Sequence, residues 1–157
     1  MSTSATTTTE GETTKPSGTY ECGCHCGYIK FSVTLSPPLP EYEVVQCNCS
    51  ACTRFGYLLI YPDAANVKWH NNGRFRCAAY QFNTKGKDQL FCPKCGASLA
   101  IDFRDVRKPH TYGISARTIY GVNLDELKYK KFDGINKVQP VGDLSGHYWD
   151  EGKEEMK

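Results

Sequence analysis

Three clusters of closely spaced cysteines are the part of this sequence that can carry chemistry. They are Cys22-Gly-Cys24-His-Cys26, Cys47-Asn-Cys49-Ser-Ala-Cys52 and Cys92-Pro-Lys-Cys95, and a ninth cysteine, Cys77, stands alone. Nine cysteines in 157 residues indicate either disulfides or metal sites. The count is odd, and the first 20 residues lack the apolar run of a signal peptide. We therefore expect metal ligation in a reducing compartment, the cytoplasm.

The last cluster, followed by a glycine, has the form of a zinc knuckle. The thiolates of Cys92 and Cys95 can chelate one tetrahedral ion, and a closed zinc site needs four ligands. The second pair must come from elsewhere in the fold. Cys24 and Cys26, also followed by a glycine, are the natural donors, although spacing alone does not exclude Cys22.

The middle cluster offers three thiols within six residues: Cys47, Cys49 and Cys52. Three protein ligands leave a tetrahedral zinc ion one position for water or substrate, which is the arrangement of catalytic zinc. The spacing is equally compatible with a closed site that Cys77 or a histidine completes.

Short segments rich in β-branched and aromatic residues must position these clusters. They alternate with Pro-, Asn- and Gly-containing breakers, which predicts a mainly β, antiparallel fold in two or more small sheets. One segment, 124–129, looks helical. The predicted strand segments are 28–35, 57–61, 75–82 and 97–103.

The organisation along the chain predicts one domain, 19–150, between two solvated ends. Residues 1–18 are rich in Thr and Ser, which predicts a disordered leader. Residues 151–157 are predicted to be a solvated tail. The net charge of +2, with both signs mixed along the chain, gives no electrostatic case for nucleic acid or an anionic membrane as a partner. No apolar run approaches the roughly 20 residues that cross a bilayer.

Taken together, the cysteine motifs resemble those of the glutathione-dependent formaldehyde-activating enzymes, a family grouped with centromere protein V. The resemblance runs in order from about Tyr20 to Gly134. It rests on Gly23–Gly27, Cys47–Cys52 and Phe91–Gly96, with weaker support from Arg117–Leu124 and Phe132–Gly134.

The resemblance implies a fold of the Mss4-like type, in which small twisted antiparallel β-sheets with little helix are organised around zinc. It also implies two zinc ions per chain, and Cys22 and Cys77 fall outside its ligand set. The structural zinc would be held by Cys24, Cys26, Cys92 and Cys95. The catalytic zinc would be held by Cys47, Cys49 and Cys52.

The activity implied is that of a carbon–sulfur lyase or synthase acting on a thiol–carbonyl adduct. A borderline-soft ion in a sulfur shell accepts a further sulfur, so a thiol such as glutathione can enter the open position. Formation of S-hydroxymethylglutathione from glutathione and formaldehyde is the expected example. Arg54 is a candidate to hold a carboxylate of such a thiol, and a surface arginine is the equal alternative.

Two other functions stay open at the level of sequence. The family often has a basic residue before the Phe-Cys pair of the last knuckle, where this chain has Gln89-Leu90. A specialised metabolite could therefore replace glutathione as substrate. The chain could also be a non-enzymatic, zinc-stabilised binding module, although its Thr-rich leader is not the basic extension that a chromosomal role would favour.

Four further residues have structural interpretations that we favour over catalytic ones. Ser50 is expected to donate a hydrogen bond to a thiolate, and His110 to lie in a solvated loop. Tyr57 and Tyr61 follow the triplet on a predicted strand, where core packing is favoured over a place in a pocket.

Overall fold

The computed structural model describes residues 15–157, so most of the predicted leader lies outside the described residues, and the first strand already begins at Gly18. The described chain forms twelve β-strands and three short α-helices. The strands are β1 (Gly18–Gly23), β2 (Lys30–Leu35), β3 (Glu43–Cys47), β4 (Leu59–Ile60), β5 (Val67–Trp69), β6 (Ala78–Tyr80), β7 (Asp88–Phe91), β8 (Ser98–Asp102), β9 (Tyr112–Ser115), β10 (Lys128–Phe132), β11 (Trp149–Asp150) and β12 (Glu155–Met156). The helices are α1 (Ser50–Phe55), α2 (Gly73–Arg76) and α3 (Gly134–Lys137).

The strands form three sheets, which confirms the mainly β prediction. A three-stranded sheet has the order β1-β2-β5, a seven-stranded sheet the order β10-β3-β4-β9-β8-β7-β6, and β11 pairs with β12. All pairs are antiparallel except β10 with β3, which is parallel and places Phe132 opposite Cys47. The parallel pair departs from the purely antiparallel expectation because β10 reaches the sheet edge by a long crossover after β9, and not by a hairpin.

The helix predicted over 124–129 is wrong. Only a single 3-10 turn forms, at Leu124–Glu126, where the Asn123 side chain accepts a hydrogen bond from the Asp125 amide at 3.1 Å. The chain then enters β10, since pairing with β3 outweighs the local helical preference. The predicted strand over 75–82 is shorter than expected, because its first residues belong to α2.

The two faces of the seven-stranded sheet bury two different clusters. Ile60 and Ala100 point into the main core, which also contains the buried residues of β2. Their neighbours Leu59 and Ile101 point to the opposite face, where they pack with Cys52. The period-two alternation of strand side chains thus separates the core from the face that carries the cysteine triplet.

The C-terminal segment returns to the domain surface through the β11–β12 hairpin. Residues 151–157 are exposed along their whole length, yet Glu155 and Met156 pair with Asp150 and Trp149. Within residues 15–157, no helix has the length and apolar character that crossing a membrane requires.

Candidate metal centres

The first candidate centre joins two cysteine knuckles from distant parts of the chain. The sulfur atoms of Cys24, Cys26, Cys92 and Cys95 all lie within 4.8 Å of one another. The Cys24 and Cys26 sulfurs are 3.6 Å apart, and those of Cys26 and Cys92 are 3.8 Å apart. Four thiolates arranged tetrahedrally at about 2.3 Å from one ion stand about 3.8 Å from each other, so this cluster fits a metal ion.

The two knuckles use the same backbone turn. The Cys24 amide donates to the Ile29 carbonyl at 3.0 Å, and the Cys92 amide donates to the Ala97 carbonyl at 3.0 Å. Gly27 and Gly96 have φ angles of 83° and 77°, in the left-handed region that favours glycine. The turn directs backbone amides at sulfur: Ile29 N–H donates to Cys24 Sγ at 3.3 Å and Lys94 N–H to Cys92 Sγ at 3.4 Å. Such bonds stabilise thiolates.

The second candidate centre lies where β3 ends and α1 begins. Cys47 is the last residue of β3, Cys49 caps the N-terminus of α1, and Cys52 lies in its first turn. The three sulfur atoms lie within 4.8 Å of one another. The Cys49 amide donates to Cys47 Sγ and the Cys52 amide to Cys49 Sγ, each at 3.4 Å. This cluster can therefore also hold a metal ion.

In the described part of the chain, no fourth Cys, His, Asp or Glu joins this triplet. Cys77, a possible fourth ligand from the sequence, donates its thiol to the Gly73 carbonyl at 3.4 Å. Burial raises the pKa of Cys77 to about 11, so it stays a neutral thiol. Burial likewise raises the pKa of Cys22, which is fully buried, to about 12.

The thiols of the triplet compete for ionisation. Hydrogen bonds from Cys47 and Cys52 lower the pKa of Cys49, and hydrogen bonding to Cys47 and Cys49 raises that of Cys52. Three thiolates so close together repel one another, and a cation between them removes that cost. The donor set thus fits a thiophilic metal ion.

The segment Phe132–Gly134 holds the triplet in place from the side of β10. Asn48, between two of the cysteines, donates from Nδ2 to Asp133 Oδ1 at 2.9 Å and accepts the Ile135 amide at 2.9 Å. The Asn48 amide donates to the Phe132 carbonyl at 3.1 Å. At the other end of α1, Arg117 Nε donates to the Gly56 carbonyl at 2.9 Å. These contacts explain why the two closing segments accompany the cysteine motifs.

A cavity of about 130 Å³ adjoins the triplet. Its walls combine aromatic and aliphatic side chains with three polar ones. The aromatic lining residues are Tyr61, Phe82, Phe103 and Phe132, and the polar ones are Lys87, Gln89 and Arg107. Sequence reasoning named Tyr61 and noted the position of Gln89, but it did not identify the other five, which come from separate segments of the chain.

Gln89 is the buried polar group of this cavity, with 4% of its surface exposed. The Tyr57 hydroxyl, also buried, lies 3.1 Å from Gln89 Oε1 and 3.4 Å from the Ala100 carbonyl oxygen. When the Tyr57 hydroxyl donates a hydrogen bond to Gln89 Oε1, the Nε2 group of Gln89 is the atom that can donate a hydrogen bond into the cavity. Tyr57 thus orients the Gln89 side chain beside the thiols.

Two cations flank the aromatic wall of the cavity. The Arg107 guanidinium carbon lies 4.2 Å from the centroid of Phe103 and 4.9 Å from that of Tyr61. Lys87 Nζ lies 5.3 Å from the Phe103 centroid. All three distances are in the range of cation–π contacts. The cavity next to the thiol triplet is therefore electropositive on one side.

The remaining sequence candidates lie away from this cavity. Arg54 and Ser50 line a neighbouring cavity, and Arg54 Nη1 lies 4.0 Å from Asp143. His110 Nε2 is 2.6 Å from Asp102 Oδ1, and Arg74 makes 3.0 Å hydrogen bonds to the other Asp102 oxygen. The His110 side chain is 44% exposed and contacts the buried Asp102 carboxylate from an exposed loop, and it is not part of the thiol triplet.

These observations define the class: a mainly β protein organised by two cysteine clusters, one of three thiols beside a cavity. Residues 19–129 match the family model described as glutathione-dependent formaldehyde-activating enzyme, and the chain belongs to that family. A crystal structure of a Rhodobacter sphaeroides protein is similar, with 26% sequence identity and a TM-score of 0.57. The similarity covers 70% of this chain and 99% of that one. The resemblance predicted from the cysteine motifs is thereby confirmed.

Proposed function

We propose that this protein is a zinc-dependent carbon–sulfur lyase or synthase acting on a thiol–carbonyl adduct. The adduct formed from glutathione and formaldehyde, S-hydroxymethylglutathione, is the first substrate to test. The observation that carries the proposal is the triplet Cys47, Cys49 and Cys52, which adjoins a cavity and has no fourth ligand from the described residues. Family membership supports the same reaction class.

Two zinc ions per chain are the metals that we assign. The four-thiolate cluster is closed and structural, because four protein ligands complete a tetrahedron. Zinc held by Cys47, Cys49 and Cys52 would supply a Lewis-acidic, thiophilic position open to a substrate sulfur. Zinc–thiolate sites require reduced cysteines, and all nine cysteines are free thiols. A reducing compartment, the cytoplasm, is therefore the proposed location.

In the proposed reaction, the thiol sulfur adds to the aldehyde carbon. The carbon–sulfur bond forms as the carbonyl π pair moves to oxygen, and the proton lost by the thiol ends on that oxygen as a hydroxyl group. The reverse reaction breaks the carbon–sulfur bond and returns thiol and aldehyde. No other reactant is consumed in either direction.

The residues of the cavity have separate roles in this scheme. Gln89, oriented by Tyr57, donates a hydrogen bond from its amide to the oxygen that becomes negatively charged. Arg107 and Lys87 lower the energy of the same negative charge through space. The aromatic side chains of Phe82 and Phe103 limit the access of water to the reacting carbon.

Metal analysis and cobalt substitution test the zinc assignment. We expect two zinc ions per purified chain, and a cobalt-substituted protein whose spectrum changes when glutathione is added. The change should be absent in Cys52→Ser and present in Cys77→Ser, a cysteine outside both clusters. Four protein ligands at both ions, or a single ion per chain, would contradict the proposal.

Turnover is measured by nuclear magnetic resonance spectroscopy. The spectra give the rate at which carbon-13 formaldehyde exchanges between its free form and its adduct with glutathione. The protein should accelerate exchange above the spontaneous rate, and Cys52→Ser should abolish the acceleration while leaving the β-sheet circular dichroism unchanged. If Cys52→Ser retains full acceleration, the triplet is not the site of reaction. If the folded wild-type protein gives no acceleration with any thiol, a non-enzymatic binding module is the better description.

A further inference from the structure

A second cavity, of about 380 Å³, is lined on one side by α1. Its volume is in the range of small-molecule sites, roughly 300–1,000 Å³. Most of its lining is aromatic or aliphatic. The principal apolar lining residues are Phe55, Tyr80, Phe82, Tyr148, Trp149 and Met156.

This cavity is a neighbour of the cavity of the cysteine triplet. Ala51 and Phe82 line both cavities, and Ala51 directly precedes Cys52 in α1. The Ala51 and Phe82 side chains therefore lie at the boundary between the triplet and the larger cavity, which puts that cavity next to a molecule whose sulfur lies at the triplet. The smaller cavity has room for little more than the carbonyl partner, since a water molecule alone accounts for about 30 Å³ of liquid.

The aromatic walls are arranged as a stacking surface. The rings of Tyr80 and Phe82 are stacked at 5.6 Å with an interplanar angle of 16°, and Tyr148 meets Phe82 edge-on at 5.5 Å. Trp149 and Met156 complete the rim with 52% and 48% of their surfaces exposed. Large apolar side chains held at the rim of a cavity are a feature of ligand sites.

The outer wall of the cavity comes from a part of the chain outside the family match. That match ends at residue 129, whereas the wall residues Leu144, Tyr148, Trp149 and Met156 all follow it. The β11–β12 pairing holds Trp149 opposite Met156, which keeps both side chains at the cavity. Part of the wall of the larger cavity is thus built by residues beyond the matched domain.

We propose that this cavity binds an aromatic group carried by the thiol substrate, so that the preferred substrate is an aryl-substituted thiol and not glutathione. The proposal rests on the proposed function, because it assigns the sulfur of the same substrate to the triplet. Among the described residues, Arg54 is the one cationic side chain of the lining and lies 4.0 Å from Asp143, and the other lining side chains are uncharged and mostly apolar. A flat ring gains contact with the Tyr80 and Phe82 faces, whereas the charged peptide of glutathione would lose water there.

Binding is tested without turnover by titrating the full-length protein with methyl phenethyl sulfide, which has no thiol to react. The chain contains two tryptophans, whose indole N–H signals report separately. Trp149 lines the cavity and Trp69 packs against Phe31 in the core. We expect saturable shifts of the Trp149 signal, no shift of the Trp69 signal, and no response to S-methylglutathione. Equal shifts of both signals, or none at millimolar concentration, would overturn the proposal.

Selectivity is tested by turnover of formaldehyde with phenethyl mercaptan and with glutathione. Trp149→Ala and Met156→Ala should each lower kcat/KM for phenethyl mercaptan about tenfold and leave the glutathione value unchanged. Phe75→Ala, which removes an aromatic side chain that is 87% exposed outside the cavity, should change neither.

The two proposals fail separately. If methyl phenethyl sulfide shifts Trp149 and neither thiol is turned over, the aromatic site stands and the lyase function does not. If glutathione is turned over and phenethyl mercaptan is neither bound nor preferred, the lyase function stands and the aromatic site does not.

Discussion

Gly134 lies so close to Cys47 that a Cβ atom at position 134 would overlap the Cys47 sulfur. The same Cβ would stand 3.1 Å from the Cys49 Cβ, which is tighter than ordinary contact. The chain after β10 therefore passes directly over the thiol triplet, where Asp133 also holds Asn48. The positions of Cys47 and Cys49 in the triplet depend on the lack of a side chain at Gly134, which lies 87 residues after Cys47.

Gly134→Ala should disable the triplet selectively. The added methyl group must displace either the Cys47 sulfur or the start of α3, so we expect zinc content to fall from two ions to one per chain. Gly152→Ala is the control, since its Cβ would only touch the Asp150 carboxylate at 3.4 Å. Metal analysis of both proteins provides the measurement, and two tightly held ions in Gly134→Ala would contradict this account of the site.

The two cysteine clusters should differ in their contribution to folding. Cys92 joins the β7–β8 turn to the end of β1, and it is fully buried. We expect Cys92→Ser to lose about 5 kcal/mol or more of unfolding free energy, enough to prevent stable folding. Cys52→Ser should fold and lose less, because α1 remains held by Arg117 and Asn48.

Chemical denaturation followed by circular dichroism compares the two variants, with Cys77→Ser as the matched control. Similar losses for Cys92→Ser and Cys52→Ser would show that both clusters are structural.

The Asp102 carboxylate should make stability dependent on acid pH. Burial opposes its ionisation, but hydrogen bonds from His110, the Arg104 amide and Arg74 outweigh burial and lower its pKa. A lowered pKa in the folded state stabilises the protein above the unfolded-state pKa of about 3.9, and that stabilisation is lost as pH falls through the folded-state value.

Asp102→Asn should therefore destabilise the protein by about 2–4 kcal/mol near neutral pH, since Arg74 loses one of its two buried partners. The difference from wild type should shrink below about pH 4, where the Asp102 carboxylate of the unfolded chain takes up a proton while that of the folded protein, with its lowered pKa, is still ionised. Urea unfolding at several pH values measures it, with the exposed Asp105→Asn as control. If the difference in unfolding free energy between Asp102→Asn and wild type is the same at every pH, the destabilisation comes from altered packing and not from the lost charge.

Gln89 should act on the reacting oxygen. We expect Gln89→Leu to lower kcat about 100-fold with little change in zinc content, because one hydrogen-bond donor to a developing negative charge is lost. Tyr57→Phe removes only the group that orients Gln89, so its effect should be smaller and confined to kcat.

Exchange kinetics with glutathione and formaldehyde measure both variants, and zinc analysis verifies that the triplet is intact. An unchanged kcat in Gln89→Leu would remove Gln89 from the mechanism.

Cysteine spacing predicted the triplet and the Cys92–Cys95 knuckle, whereas the pairing of that knuckle with Cys24 and Cys26, and not with Cys22, came from the family resemblance. A knuckle such as Cys92–Cys95 brings its own two ligands together, and Cys47, Cys49 and Cys52 are close in sequence, so local backbone geometry places them. The mainly β class was predictable for a similar reason, because alternation along 28–35 has a period that only a strand satisfies. The choice between helix and strand at 124–129 was not predictable, since pairing with β3 decided it.

Only the tertiary structure decided what surrounds the thiols. Gln89 and Phe82 reach the triplet from the β6–β7 hairpin, and Gly134 reaches it from beyond β10. Their contacts with Cys47 and Cys52 depend on the strand order of the seven-stranded sheet, which local sequence signals do not encode. The sequence therefore indicated the family and the cysteines of the two clusters, whereas long-range packing determined the cavity, its polar donor and its aromatic neighbour.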